Sequence, residues 1–365
     1  MKILSRYVLR EFLVPLGYCL AGFVSLFVLF ELFGSFSRLV EAKLPAGEAV
    51  RYFLGFLSPY FQWIAPAALM LATLYTMWTF CRHSEIVAMR SGGVSFLVIS
   101  RPILLVAFAM AAFVAWVNEC YVPLHAQRAA RLRAERFDLK RLERSAEVVY
   151  RNARANRVWS ADRAGDETFK ALIGVKVIED RPDGARILSV TAPRADYMDG
   201  EWWFTNPKVL HYDEAGRETA TTTPELDSLG TRVFPQFRER PRDIAVQNRS
   251  RAHNSVRDRL RFLRTHGDLA EDQRREYLYD AWAQALAPLA CLVITLFAIP
   301  AGMATGRQSV FRGVLGALIT FFSFYGASLA CMAGAYKGLI APIPAAILPH
   351  AAFLALGLRS FRRQR

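Results

Sequence analysis

The chain has 365 residues, 53% of them hydrophobic, and 46 Lys and Arg against 32 Asp and Glu give it a formal net charge of +14. That charge would suit a nucleic-acid binder, but residues 118–280 hold 30 basic and 27 acidic side chains, so only +3 lies there and +11 belongs to the apolar ends. The distribution sets nucleic acid aside and points to a membrane protein whose cations report topology and contact with anionic headgroups.

At the N-terminus, Lys2, Arg6 and Arg10 precede an apolar run in the manner of a signal peptide. The run is too long, and no small-residue cleavage site follows, so it reads as a retained helix. A crossing needs roughly 20 apolar residues at about 1.5 Å each. Windows of that kind lie near Phe12–Phe33, Gly55–Trp78, Leu97–Val117, Ala281–Met303, Val314–Tyr336 and Ile340–Leu358. The last carries Pro342, Pro344 and Pro349, which predicts an outer end that is irregular or packed against neighbours. Cys19, Cys81, Cys120, Cys291 and Cys331 all lie in or beside the spans, so the polar middle holds no disulfide and its core must suffice.

Between the second and third spans runs His83-Ser84-Glu85-Ile86-Val87-Ala88-Met89-Arg90-Ser91-Gly92-Gly93. Ser84 is placed to cap a short helix, Glu85 favours its positive end, Ile86, Met89 and Val87 form an apolar stripe, and the glycine pair stops it. Such a helix serves either as an interfacial connector or as a handle for a cytoplasmic partner.

After the third span, His125 to Ser145 is helix-favouring and free of Gly and Pro. From Glu147 the pattern turns to short alternating runs. Ile173, Val175 and Val177 alternate with Gly174 and Lys176, which places the three on one strand face. Turns follow at Arg181-Pro182-Asp183-Gly184, Asp199-Gly200 and Asp213 to Arg217, with Trp202 to Phe204 as a further strand. Hairpins at this spacing predict an antiparallel sandwich or jelly roll. Asp268 to Tyr279 reads as a helix returning to the membrane.

Chemistry-bearing motifs are missing: there is no G-x-x-x-x-G-K-[ST] loop, no H-E-x-x-H among six scattered histidines and no G-x-S-x-G elbow. A non-enzymatic chain with no cofactor of its own is expected. Orientation follows from the short loops. Lys2, Arg6, Arg10, Arg82, Arg90, Arg101, Arg307, Arg312, Arg359, Arg362, Arg363 and Arg365 share one face, against Arg38, Lys43, Arg51 and Lys337 on the other. Both termini are therefore expected in the cytoplasm and the middle block outside. The expected organisation is residues 1–123 as spans one to three with a coupling loop near 80–93, residues 124–278 as a periplasmic jelly-roll-like domain, and residues 279–365 as spans four to six with a basic tail.

The loop segment resembles the cytoplasmic loop of the lipopolysaccharide-export permeases, the LptF/LptG (YjgP/YjgQ) family. So do Arg6-Tyr7 with Arg10-Glu11-Phe12, Asn118-Glu119-Cys120-Tyr121-Val122-Pro123, Thr191-Ala192-Pro193-Arg194-Ala195 followed by Glu201-Trp202, Pro288 through Ile299-Pro300, and Ile347-Leu348-Pro349. Ala281-Trp282-Ala283-Gln284 before Ala287-Pro288 looks more like the LptG side, while His350 stands where the family pattern leads one to expect Asn or Ser and reads as a packed or interfacial side chain. The resemblance implies a six-helix membrane bundle with an inserted all-β domain, in the inner membrane of a Gram-negative-type bacterium. It implies a heterodimer with a paralogous permease, driven by a cytoplasmic ATPase dimer that binds the ATP, passing lipopolysaccharide to periplasmic jelly-roll bridge proteins. By the same resemblance Glu85 engages the ATPase with Ser84, Met89 and Arg90 beside it, and the first and fifth spans form lateral gates. Phe33, Arg38 and Lys43 would meet the lipid near the first span, and Ile173, Val175, Val177, Trp202 and Phe204 would accept acyl chains. Without the resemblance those apolar residues read as ordinary sandwich core, and the chain as a membrane-anchored periplasmic scaffold or assembly protein that transports nothing.

Overall fold

The computed structural model describes the chain apart from residues 1, 42–44, 127, 130–147, 153–154, 167, 214–216, 223–229, 249–253, 266–268, 304–309 and 363–365. Two compact units emerge, Met1–Ala126 with Asp272–Arg365, and Gln127–Glu271.

The first unit is helical: α1 (Lys2–Glu41), α2 (Ala46–Leu57), α3 (Phe61–Arg82), α4 (Glu85–Ser91) and α5 (Phe96–Trp116) precede the insertion. Among the described residues five helical stretches are long and apolar enough to cross a membrane, among them Gly47–Arg82 and Phe96–Ala126, which run beyond the predicted windows. The 40 residues of α1 extend about 60 Å, twice a hydrocarbon core. Its window is only 11% buried, whereas the α2–α3 stretch is 67% buried and forms the centre of the bundle. Ala65, Ala68 and Ala72 on α3 are fully enclosed, because small side chains let neighbouring backbones approach where lipid offers no hydrophobic drive. Facing them are Val8, Phe12 and Leu16 of α1 and Ile103 and Ala107 of α5. Near the far end of α1, the Tyr52 hydroxyl donates to buried Glu31 at 2.7 Å.

Helices α8 (Glu271–Leu286), α9 (Leu289–Met303), α10 (Val310–Tyr336) and α11 (Pro342–Arg362) follow the insertion. The predicted fourth crossing is not one straight rod: α8 and α9 meet at a 51° bend, and counted as one span the pair brings the number to six. Pro288 explains the break, since it offers no N–H to the carbonyl four residues earlier and its ring crowds that turn. Of the two forms predicted for the last span, the packed one is found: Ala345 and Ala346 at its outer end are buried in a cluster with Tyr279 and Cys331, and the helix stays regular. Pro342 and Pro344 fall in the first turn of α11, where backbone donors lack intrahelical partners anyway, and Pro349 is carried inside the helix. His350 is packed, as read: its Nδ1 lies 3.1 Å from the Ala346 carbonyl and its ring meets Phe324 edge-on.

Among its described residues the second unit forms a nine-stranded antiparallel sheet: β1 (Val148–Asn152), β2 (Arg157–Ala161), β3 (Arg163–Ala164), β4 (Ala171–Asp180), β5 (Arg186–Met198), β6 (Glu201–Thr205), β7 (Lys208–Tyr212), β8 (Glu218–Thr222) and β9 (Thr231–Val233). The long β5 is its spine. One edge pairs with β4 throughout, while the other takes β7 at Leu188–Thr191 and β6 at Arg194–Met198, so the sheet forks into β7–β8 and β6–β9. The Asp199-Gly200 hairpin is as predicted, with both residues at positive φ. The predicted turn between Asp213 and Arg217 has its middle outside the described residues, though its ends pair. Most of the predicted helix His125 to Ser145 is likewise outside them; helix continues through Ala126. Two short helices, α6 (Pro241–Asn248) and α7 (Val256–Thr265), follow the strands.

Edge strand β1 is sealed by side chains of α6. Gln247 accepts from the Arg151 amide, and the Asn248 amide both accepts from and donates to Val149, mimicking a neighbouring strand.

Candidate functional site

The loop helix α4 begins with Glu85, whose Oε2 accepts a 2.9 Å hydrogen bond from the Tyr7 hydroxyl of α1. Tyr7 in turn packs on Phe80 of α3, ring centroids 5.9 Å apart. Ile86 is buried in the same cluster as Phe80, Phe96 of α5 and Phe361 of α11, and Met89 packs against it. The rings of Phe96 and Phe361 meet at a tilt of 38°, centroids 4.9 Å apart. The seven-residue helix is thus tied to α1 by the Tyr7 bond and packed against α3, in a cluster that also holds residues of α5 and α11.

Two details of this helix differ from the sequence reading. Ser84 occupies the position before it but makes no capping bond, because its backbone is left-handed (φ 58°) and not in the extended conformation from which a cap side chain reaches back. Val87 is 68% exposed and leaves the apolar stripe to Ile86 and Met89. The outer side of α4 therefore presents Val87 and Arg90 with the half-exposed Glu85 at its end.

The predicted acyl-accepting residues gather on the inner face of the curled sheet, a trough filled by the protein's own buried side chains. Val175, Val177, Trp202 and Phe204 are enclosed in a single cluster with Trp159, Phe234 and Phe237. Trp159 of β2 and Trp202 of β6 lie 5.2 Å apart, although a flat sheet would hold their strands about 14 Å apart, so the sheet curls around them. Ile173 departs from the prediction: it is half-buried, and Leu172 takes the interior place. Gly174, at φ 65°, reverses the alternation there, and a Cβ at this position would overlap the Asp162 carboxylate. Sequence alternation alone could not show that reversal, though a glycine inside a strand pattern is its usual sign.

Across the trough runs a polar clasp that sequence reasoning missed. Arg157 bonds Glu239 at 2.8 Å and Glu179 at 2.9 Å, and its guanidinium lies over Phe237. Trp202 donates its indole N–H to the Glu239 carbonyl at 2.7 Å. The segment carrying Phe234 and Phe237 is thereby tied over the apolar residues. Among the described residues, no group of three His, Cys, Asp or Glu side chains could hold a metal.

The family described as lipopolysaccharide export system permease LptF/LptG matches residues 6–363, which takes in both helical groups and the inserted sheet. The chain belongs to the LptF/LptG family. Comparison with curated proteins found no match. Family membership supports a permease role in lipopolysaccharide export, not an enzymatic one, in a multi-pass inner-membrane protein that works within a larger transport system. The match covers both paralogues alike.

For an LptF/LptG chain the spans most open to their surroundings matter, and α1 and α10 have the lowest buried shares, 11% and 17%. Leu26, Phe30 and Phe33 line one exposed face of α1, and Leu315, Ile319, Phe322 and Leu329 one of α10. Phe33 is 83% exposed. Arg38 belongs to α1, but its side chain is outside the described set, and Lys43 lies outside the described residues altogether. The structure therefore gathers the loop residues at one place and the apolar β residues at another. Tyr7, the partner of Glu85, was visible in sequence only as part of the Arg6-Tyr7 motif; nothing at that distance signalled the pairing.

Proposed function

We propose that this chain is one half of a heterodimeric permease, on the LptG side, that takes lipopolysaccharide from the outer leaflet of the inner membrane under power from a separate cytoplasmic ATPase dimer. The observation that carries the reading is the family match over residues 6–363. ATP closes the ATPase, which draws on α4 through Glu85, Met89 and Arg90; the bond of α4 to α1 and its packing against α3, in a cluster shared with α5 and α11, support transmission into the bundle. An exposed carboxylate is suited to meet an Arg or Lys of such a partner. The open apolar faces of α1 and α10 would then separate from or close on the paralogous subunit, shrinking the cavity between them and expelling lipid past Phe33, Arg38 and Lys43. Acyl chains would pass to the trough of Val175, Val177, Trp202 and Phe204, with Ile173 at its margin, and onward to periplasmic bridge proteins. Both termini face the cytoplasm in this arrangement, consistent with the basic residues counted on that side.

Purifying the chain with its ATPase tests the coupling. Glu85→Arg is expected to abolish association while leaving the protein level intact, and photo-crosslinkers at Phe33 and Val175 are expected to capture lipopolysaccharide only when the ATPase is active. Normal ATPase association in Glu85→Arg removes the assigned handle. Neither association in the wild-type chain nor a lipid adduct would return it to a periplasmic scaffold.

A further inference from the structure

We propose that the outer face of the inserted sheet carries a second, polar site that binds the acidic sugar portion of lipopolysaccharide; the inference rests on the export reading above. Strand register builds it. Ser160 of β2 stands opposite Lys176 of β4, Lys176 opposite Thr191 of β5, and Thr191 opposite Lys208 of β7, a row of four residues across four strands. Each alternates with an inward neighbour such as Val175, Val190 or Val209, so the row lies on the face opposite the apolar trough.

The row floors an open cleft of about 860 Å³ with Asp162 and Asn206 on its walls, a volume within the roughly 300–1,000 Å³ of small-molecule sites. The concavity has a cause in the chain: the reversal of alternation at Gly174 is matched on β5, where Ala192 and Ala195, three apart, are both interior. Lys176 and Lys208 are exposed, and neither forms an ion pair with any described residue. Thr191 separates them by two strand spacings, about 10 Å. They are therefore placed to meet two anionic groups of one ligand.

The rest of the lining selects the class. A carboxylate at Asp162 would repel a bare phosphate, yet it accepts hydrogen bonds from sugar hydroxyls, as Asn206 and Thr191 accept and donate them and Ser160, whose proton goes to the Lys176 carbonyl, accepts them. Acyl chains have no place among these groups. A phosphorylated, acidic saccharide satisfies both the paired ammonium groups and the neutral donors and acceptors, and the exported lipid is the amphiphile that would bring one to this sheet.

The full-length chain in lipid nanodiscs, titrated calorimetrically with deacylated lipopolysaccharide, tests the site, with inorganic phosphate and a neutral dextran oligosaccharide as comparisons. The deacylated saccharide is expected to bind, the dextran not, and Lys176→Glu with Lys208→Glu to weaken binding at least tenfold without shifting the melting temperature. Lys176→Gln with Lys208→Gln serves if charge reversal unfolds the domain. Unchanged affinity in the double variants, equal binding of dextran, or phosphate binding as tightly as the saccharide would overturn the proposal. In cells, a photo-crosslinker at Thr191 is expected to capture lipopolysaccharide. Adducts at Val175 with none at Thr191 would refute the cleft and leave the export reading standing, whereas adducts at neither position would count against export itself.

Discussion

The side chains of Arg157 and Glu239 are 6% and 1% exposed, and their pairing closes the trough of the inserted sheet. Arg157→Ala would leave Glu239 a buried carboxylate without its cation, held by the Asn152 amide alone, an outcome that costs about 3 kcal/mol in comparable buried pairs. The expected readout is faster hydrogen exchange across β2, β4 and the 234–240 segment in the intact protein. Tyr150 makes a pH-dependent contribution in the same unit. Burial, followed by the nearby charges of Asp243 and Glu239, raises its phenol above the usual value of 10.0. The folded state therefore holds that proton more tightly than the unfolded chain, giving stability that is complete below pH 10 and lost as pH rises past it. Tyr150→Phe is expected to flatten the fall in melting temperature between pH 9 and pH 11. At this scale the sequence was least legible. Arg157, Glu239 and Tyr7 are unremarkable among many charged and aromatic residues, and each acquires its role from a partner 78 or more positions away or across several strands.

Elements were easier to read, because a long apolar run or a Gly-containing hairpin carries its own signature. The helices long and apolar enough to cross a membrane lie where hydropathy placed them, and the difference is one of shape: the fourth window is a pair bent near Pro288, while the proline-rich sixth is a continuous helix. Composition reports that proline is present, but its consequence depends on whether the turn it enters still needs the missing donor. Packing between elements was not legible. Gly302 of α9 meets α3 so closely that an added Cβ would lie 2.6 Å from the Met77 Cβ and 3.2 Å from the Leu74 carbonyl. Gly302→Val must push the two central helices apart, and its expected result is a melting temperature lowered by several degrees in detergent, with the β-domain exchange pattern unchanged.

For the molecule as a whole, three crossings before an insertion and three after it would return both ends of the chain to one side of the membrane, and the basic short loops lead us to expect that side to be the cytoplasm. A periplasm-dependent reporter inserted at Gly184, in the exposed β4–β5 turn, is expected to be active, and a cytoplasm-dependent one silent. The reverse pattern would put Glu85 out of reach of any ATP-driven partner. Architecture was the most legible level, since the hydropathy of the ends and the turn chemistry of the middle act independently and agree. The forked sheet was not foreseen, because its pairing of β5 with two successive partners is decided by distant contacts. One flank of that sheet has an implication for larger structures. Gln247 and Asn248 already occupy the hydrogen-bonding places along β1, so a neighbour cannot lengthen the sheet there without evicting them. A relay of such modules joined by strand addition would have a head and a tail, with growth from this piece always starting away from β1.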